Sequence, residues 1–260
     1  MRRLAFVLLV LAGCTPPPPS AAPAPVAPVA PAAPAVQAPQ VRDGVELALI
    51  APAGLERTRL DVDPFTATAH LAFQAESGAT VYLAVSVQES VAAAQSAVLL
   101  EPSRITGASV PATGVGLVCD SGFAATDATG NVAWAALERA NVNAVLRGSD
   151  DTALRSVAAA WLAAVDASDL VPALRTPRLS LSFSASARAG SPNPLAVTPD
   201  PSGPAPASFA YRADNGASLV GSRLGPVLYA ARSGTVHVKV AAATSRLVSS
   251  VVESDLALGK

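Results

Sequence analysis

Val81-Tyr82-Leu83-Ala84-Val85-Ser86-Val87 decides how this chain is read, because its larger aliphatic residues fall on every second position. A strand sends alternate side chains to opposite faces, so Val81, Leu83, Val85 and Val87 belong to a core and Tyr82, Ala84 and Ser86 to the other face. Outward from it, Thr68 to Gln74 reads as the preceding strand and Glu76-Ser77-Gly78 as the turn between the two. Ser90 is placed to cap a helix through Leu100, with Val91, Ala94, Val98 and Leu99 inward. The result is a strand-strand-helix unit.

Two further units are expected. One has strands Asn131 to Leu137 and Asn141 to Arg147, then a helix from Thr152 to Asp166 with Leu154, Val157, Ala158, Trp161, Leu162 and Val165 on one face. Asp150 and Asp151 stand where helix capping and the helix dipole favour acids. The other has strands Val227 to Ala231 and Thr235 to Ala241, followed by a helix with Leu247, Val248, Val251 and Val252 inward. Ala69 to Thr80 parallels Ala207 to Ser218 in its aromatics, its glycine and its order, which suggests an internal duplication. The fold class expected is therefore α+β, in two similar halves of antiparallel sheet with helices on one face. The boundaries expected are a first domain over 41–172 and a second over 173–260, split near Pro172 to Pro177. Ser191 to Pro206 holds six prolines and reads as an extended loop.

The N-terminus carries an address. Arg2 and Arg3 precede the apolar run Leu4 to Leu11, which is too short to span a bilayer but suits a signal sequence. Leu11-Ala12-Gly13-Cys14 resembles the lipobox of bacterial lipoproteins. The resemblance covers residues 1–14 alone, and it implies a signal peptide over 1–13, cleavage between Gly13 and Cys14, and lipid attachment at Cys14. Thr15, in place of aspartate after the cysteine, implies an outer-membrane destination facing the periplasm. Two or three acyl chains would hold such a protein on its membrane durably, since each buried methylene contributes about 0.8 kcal/mol.

From Thr15 to Gln40 the chain is rich in proline and alanine and lacks charge. Proline removes donors and fixes φ, so this segment is expected to be a polyproline spacer reaching roughly 80 Å at about 3.1 Å per residue. The linker, with Cys14 at its head, occupies 14–40.

The full chain has a formal charge of −1, and no basic stripe points to nucleic acid. With Cys14 lipidated, Cys119 cannot form an internal disulfide, and the run Gly116-Leu117-Val118 before it suits a buried small hydrophobe. His70 and His237 read as solvent-facing strand residues. Asp61 and Asp63 could offer two carboxylates on one strand face to a hard cation, but no calcium-type loop completes the set. Trp134 and Trp161 fall on core positions. No catalytic, metal or cofactor residue is assigned. Two functions remain open: a non-catalytic envelope module that binds an envelope protein or peptidoglycan, and an envelope hydrolase whose site the sequence does not group.

Overall fold

The computed structural model describes residues 40–260 apart from 106–107, 185, 223–224 and 245–246. Gly13, Cys14 and the linker through residue 39 lie outside the described residues. The first part of the chain runs β1 (Val41–Arg42), β2 (Leu55–Asp63), β3 (Thr68–Ala75), β4 (Thr80–Val87), α1 (Val91–Leu100), β5 (Val110–Pro111), β6 (Ser121–Thr126), β7 (Val132–Arg139), β8 (Val142–Gly148), α2 (Asp151–Asp166) and β9 (Leu170–Val171). The second part is all strand: β10 (Leu179–Phe183), β11 (Asn193–Pro199), β12 (Ser208–Ala213), β13 (Ser218–Ser222), β14 (Gly225–Tyr229), β15 (Gly234–Ala243) and β16 (Ser249–Leu258). The protein is mainly β, and its sheets are antiparallel throughout.

A seven-stranded sheet, in the order β2-β3-β4-β8-β7-β6-β5, organises the first part. The period-two reading of β4 holds: Val81, Leu83, Val85 and Val87 are buried, and Tyr82 is exposed. They share a core with Leu71, Phe73, Leu137 and Leu146 and with Leu154, Val157, Trp161 and Val165 of α2. That helix starts because Asp150 Oδ1 accepts from the Ala153 N–H at 2.7 Å, and Asp151 pairs with Arg155 at 2.8 Å.

Helix α1 is capped as expected, with Ser90 Oγ accepting from the Ala93 N–H at 3.1 Å. It packs on the other face of the sheet, where Val98 meets Trp134 and Ala136. The expectation of helices on one face is thus corrected: the sheet is buried on both sides, at least in part. Leu99 is also corrected, being exposed beside Leu100, because only Ala94 and Val98 of this helix are buried against the sheet.

In the second part, the sheets β10-β11-β14-β13 and β12-β15-β16 close on a common core of Leu195, Leu228, Val236, Val238, Val240 and Leu256. The third helix does not form. Leu247 sits at φ 61°, a left-handed conformation no helix admits, and Ser249–Leu258 pairs along its whole length with β15. Val252, Leu256 and Leu258 face the core on alternate positions, so the spacing that suggested a helix belongs to a turn plus a strand. The two similar halves are corrected with it. Segments 69–80 and 207–218 match in sequence, yet β3 and β4 pair with each other while β12 and β13 enter different sheets. The segment Ser191 to Pro206 is also corrected, since it contains β11, whose Pro194 and Pro199 stand near the strand's ends, where a missing donor costs least.

All of these elements belong to one compact unit, Ala38–Lys260. Val41–Arg42 is pinned by pairing with β9 and by Asn141, whose Oδ1 accepts from the Arg42 N–H at 2.5 Å while its Nδ2 donates to Arg42 O at 3.0 Å and Gln88 O at 2.8 Å.

Candidate functional site

Pairing register arranges the side chains of the α1 face in rows across the strands. One row is Asp63, Thr68, Ser86, Asn143, Glu138 and Ser121; the next is Asp61, His70, Ala84, Val145, Ala136 and Phe123. The third is Arg59, Ala72, Tyr82, Arg147, Trp134 and Ala125. Helix α1 covers the ends of these rows on β6, β7 and β8. Over β2, β3 and β4 nothing described covers them fully, and a trough of ≈ 1050 Å³ opens there, walled by α1 and the turn Glu101–Arg104. At Tyr82 and Arg147 it meets a shallower depression of ≈ 790 Å³ that reaches Trp134. A smaller slot of ≈ 440 Å³, lined by Leu60, Val62 and Phe209 among others, lies on the other side of β2.

The trough is charged but largely self-neutralised. Arg59 pairs with Asp61 at 3.1 Å, Arg104 with Glu101 at 2.8 Å, and the Arg212 guanidinium stands 4.5 Å from the Phe65 ring centroid. Exposed pairs of this kind contribute little, on the order of 0–1 kcal/mol, so a ligand can displace them cheaply. Arg147 makes no hydrogen bond or ion pair among the described residues.

Of the residues singled out in the sequence, His70, Asp61 and Asp63 fall in this trough. His70 is exposed and lies opposite Asp61 in the register, with Ser86 one row away. These three groups are not bonded to one another: Asp61 is engaged by Arg59, and Ser86 Oγ accepts from Gln88 Nε2 at 3.2 Å. Asp63 accepts from the Phe65 N–H at 2.9 Å. No group of three His, Cys, Asp or Glu able to hold a metal ion occurs among the described residues.

His237 lies elsewhere, on the outward side of β15. Its Nδ1 is 2.7 Å from Asp255, its Nε2 is 3.2 Å from Glu253, and Lys239 reaches the same Glu253 at 2.5 Å. Hydrogen bonding to Asp255 and then to Glu253 raises the imidazole above its ordinary range. Cys119 is a free thiol, half-buried against the first core; burial, then the charges of Asp120 and Glu138, push its thiol up. Trp134 and Trp161 are core residues, as their positions suggested.

Two residues that sequence reasoning missed lie under α1. Glu138 is fully buried, with Oε2 accepting from Ser121 Oγ at 2.7 Å and Oε1 without a partner among the described residues. Asn143 donates to Ala94 O at 3.1 Å, and its Oδ1 likewise has no donor among them. Burial raises the Glu138 carboxyl above the usual glutamate range, and the Asp120 charge adds to this against the Ser121 hydrogen bond. Alternation would have placed Asn143 and Arg147 on one face of their strand; that Arg147 stands beside Tyr82 and Asn143 beside Ser86 depends on register, which no local pattern carries. No protein family, no curated protein and no solved structure matches this chain.

Proposed function

We propose that the chain is a membrane-anchored bacterial envelope lipoprotein, held through a lipid on Cys14 in the outer membrane facing the periplasm, with a non-catalytic binding module on a stiff spacer. The lipobox-like Leu11-Ala12-Gly13-Cys14 supports the anchor, and the Pro/Ala segment to Gln40 supports the spacer. The observation that carries the binding role is the open trough. Its floor runs from the edge strand β2 across β3 and β4, which are paired on both sides, and its polar side chains converge on a space far larger than one side chain. An envelope protein or peptidoglycan is the partner this reading names; nucleic acid is not.

Replacing Cys14 with Ser should release the protein from the membrane fraction and abolish lipid labelling. Retention of both would overturn the anchor. A photo-crosslinker at Ala84, on the trough floor, should capture an envelope component, and a crosslinker at the exposed Ala159 of α2 should not.

One observation favours a second reading. His70, Asp61 and Ser86 share the trough, which is the gathering an envelope hydrolase would need. Hydrolysis of an ester or peptide panel that disappears in His70→Ala would establish that reading over the first.

A further inference from the structure

We infer that the ligand of the trough is a carboxylate-bearing glycan, and that its acid group is received at Tyr82, Arg147 and Trp134. This rests on the trough being a binding face and adds the class of ligand.

Tyr82, Arg147 and Trp134 are consecutive neighbours in one row on β4, β8 and β7, with their side chains on the same face. The other arginines of the trough are engaged, by Asp61, Glu101 or the Phe65 ring, whereas Arg147 is exposed and unpaired among the described residues. Beside it, Trp134 is 5% exposed, and its indole Nε1 has no acceptor among those residues. Guanidinium and indole are donors only, so the pair calls for an acceptor, and the cation calls for a negative one. Tyr82, 57% exposed, adds a phenol and an open ring face next to the guanidinium.

The floor argues for sugar over peptide. An extended peptide gains its affinity from main-chain pairing at a sheet edge, which here is β2, but Tyr82, Arg147 and Trp134 stand on β4, β8 and β7, each of which has a strand on both sides. Only side chains can contact a ligand there, and His70, Ser86 and Asn143 offer the mixed donors and acceptors that ring hydroxyls use. Trough and depression are continuous through Tyr82 and Arg147. From β2 to β7 the path crosses five strands, roughly 19 Å at ~4.8 Å per strand, the reach of an oligomer.

The test uses the mature chain and three probes: the peptidoglycan disaccharide of N-acetylglucosamine and N-acetylmuramic acid with its lactyl carboxylate free, uncharged tetra-N-acetylchitotetraose, and the stem tetrapeptide alone. Calorimetric titration should show the acidic disaccharide binding at least about tenfold more tightly than either of the others, with affinity falling as salt rises. Arg147→Gln, at an exposed position whose loss should leave the melting temperature unchanged, should weaken that binding at least about tenfold. Equal binding of the uncharged sugar, full binding by the tetrapeptide alone, or an unaffected Arg147→Gln would overturn the inference. Ser86→Trp, which fills the trough beside the crosslinker position, separates the two claims. If it abolishes crosslinking to an envelope component in a protein that binds none of the probes, the binding face stands and the glycan is refuted.

Discussion

Replacing Glu138 with Gln should stabilise the protein, and by more as the pH rises. Glu138 is fully buried beneath α1, where one oxygen has the Ser121 hydroxyl and the other has nothing among the described residues. Burial holds its carboxyl above the usual range, so the folded state keeps the proton to a higher pH than the unfolded chain does. The sign follows from this difference. The contribution to stability is full below the ordinary glutamate value of about 4.3, and it is lost as the pH climbs through the raised folded value. Glutamine has no proton to lose, still accepts from Ser121, and brings an N–H₂ to the strand position opposite Asn143, whose Oδ1 lacks a donor. An unsatisfied buried polar group costs about 1–3 kcal/mol, so the variant should gain about that much at pH 8 and little at pH 4. For a unit of this size the gain corresponds to a melting temperature higher by roughly 2–12 °C. Thermal unfolding of both proteins between pH 4 and 8, read as their difference, cancels the other carboxylates. A gap that stays constant with pH, or a variant that melts lower at pH 8, would refute the reasoning.

Asn141→Ala removes two hydrogen bonds that pin Arg42 and a third to Gln88 O, and should cost about 1.5–4 kcal/mol in urea unfolding; an unchanged midpoint would mean that β1 is held by other contacts. Trp161→Ala empties the largest fully buried site and should cost about 3–5 kcal/mol by the same measurement. Cys119 should react slowly with a thiol reagent at neutral pH and speed up only above the ordinary thiol range of about 8.5; labelling at the unfolded rate at pH 7 would contradict its burial. The bonds of His237 to Asp255 and Glu253 stabilise its protonated form, so their contribution is full below about pH 6.5 and fades as the pH rises through the raised folded value. His237→Gln should remove that pH dependence from the melting curve, and a titration of the His237 ring by NMR should show a midpoint above the ordinary value.

Legibility in the sequence followed the range of the interactions involved. Strands β3, β4, β7 and β8 and helix α2 were readable because alternation, 3.6-residue spacing and the Asp150 cap act within a dozen residues. Segment 247–258 was misread because Leu247, Val248, Val251 and Val252 mimic a helical face, while the alternation of Val252, Leu256 and Leu258 is interrupted by Ser254. Its strand identity comes from ten residues of pairing with β15, a tertiary effect. The duplication failed at 213–218 for a related reason: the same aromatic-glycine pattern serves a hairpin in one place and a crossing between sheets in the other.

The trough itself follows from a mismatch of widths. A helix is about 10 Å across, whereas seven strands at ~4.8 Å spacing span roughly 29 Å, so one helix cannot cover one face. On the α2 side the shortfall is met by Val45, Ile50, Ala112, Leu117 and Leu247, which come from connecting segments and complete the core. On the α1 side Val98 and Ile105 reach Trp134 and Phe123, and beyond them, over β2, β3 and β4, the described segments leave the face largely uncovered, with Phe65 and Leu100 at its walls. The side chains there are accordingly polar: Asp61, Asp63, Thr68, His70 and Ser86 stand where a buried face would need aliphatics. Half of this sheet face is polar, and among the described residues no second helix lies over it. Tyr82 and Arg147, at the border of that half, are therefore placed where a ligand on the polar floor and the edge of the apolar core come within reach of each other.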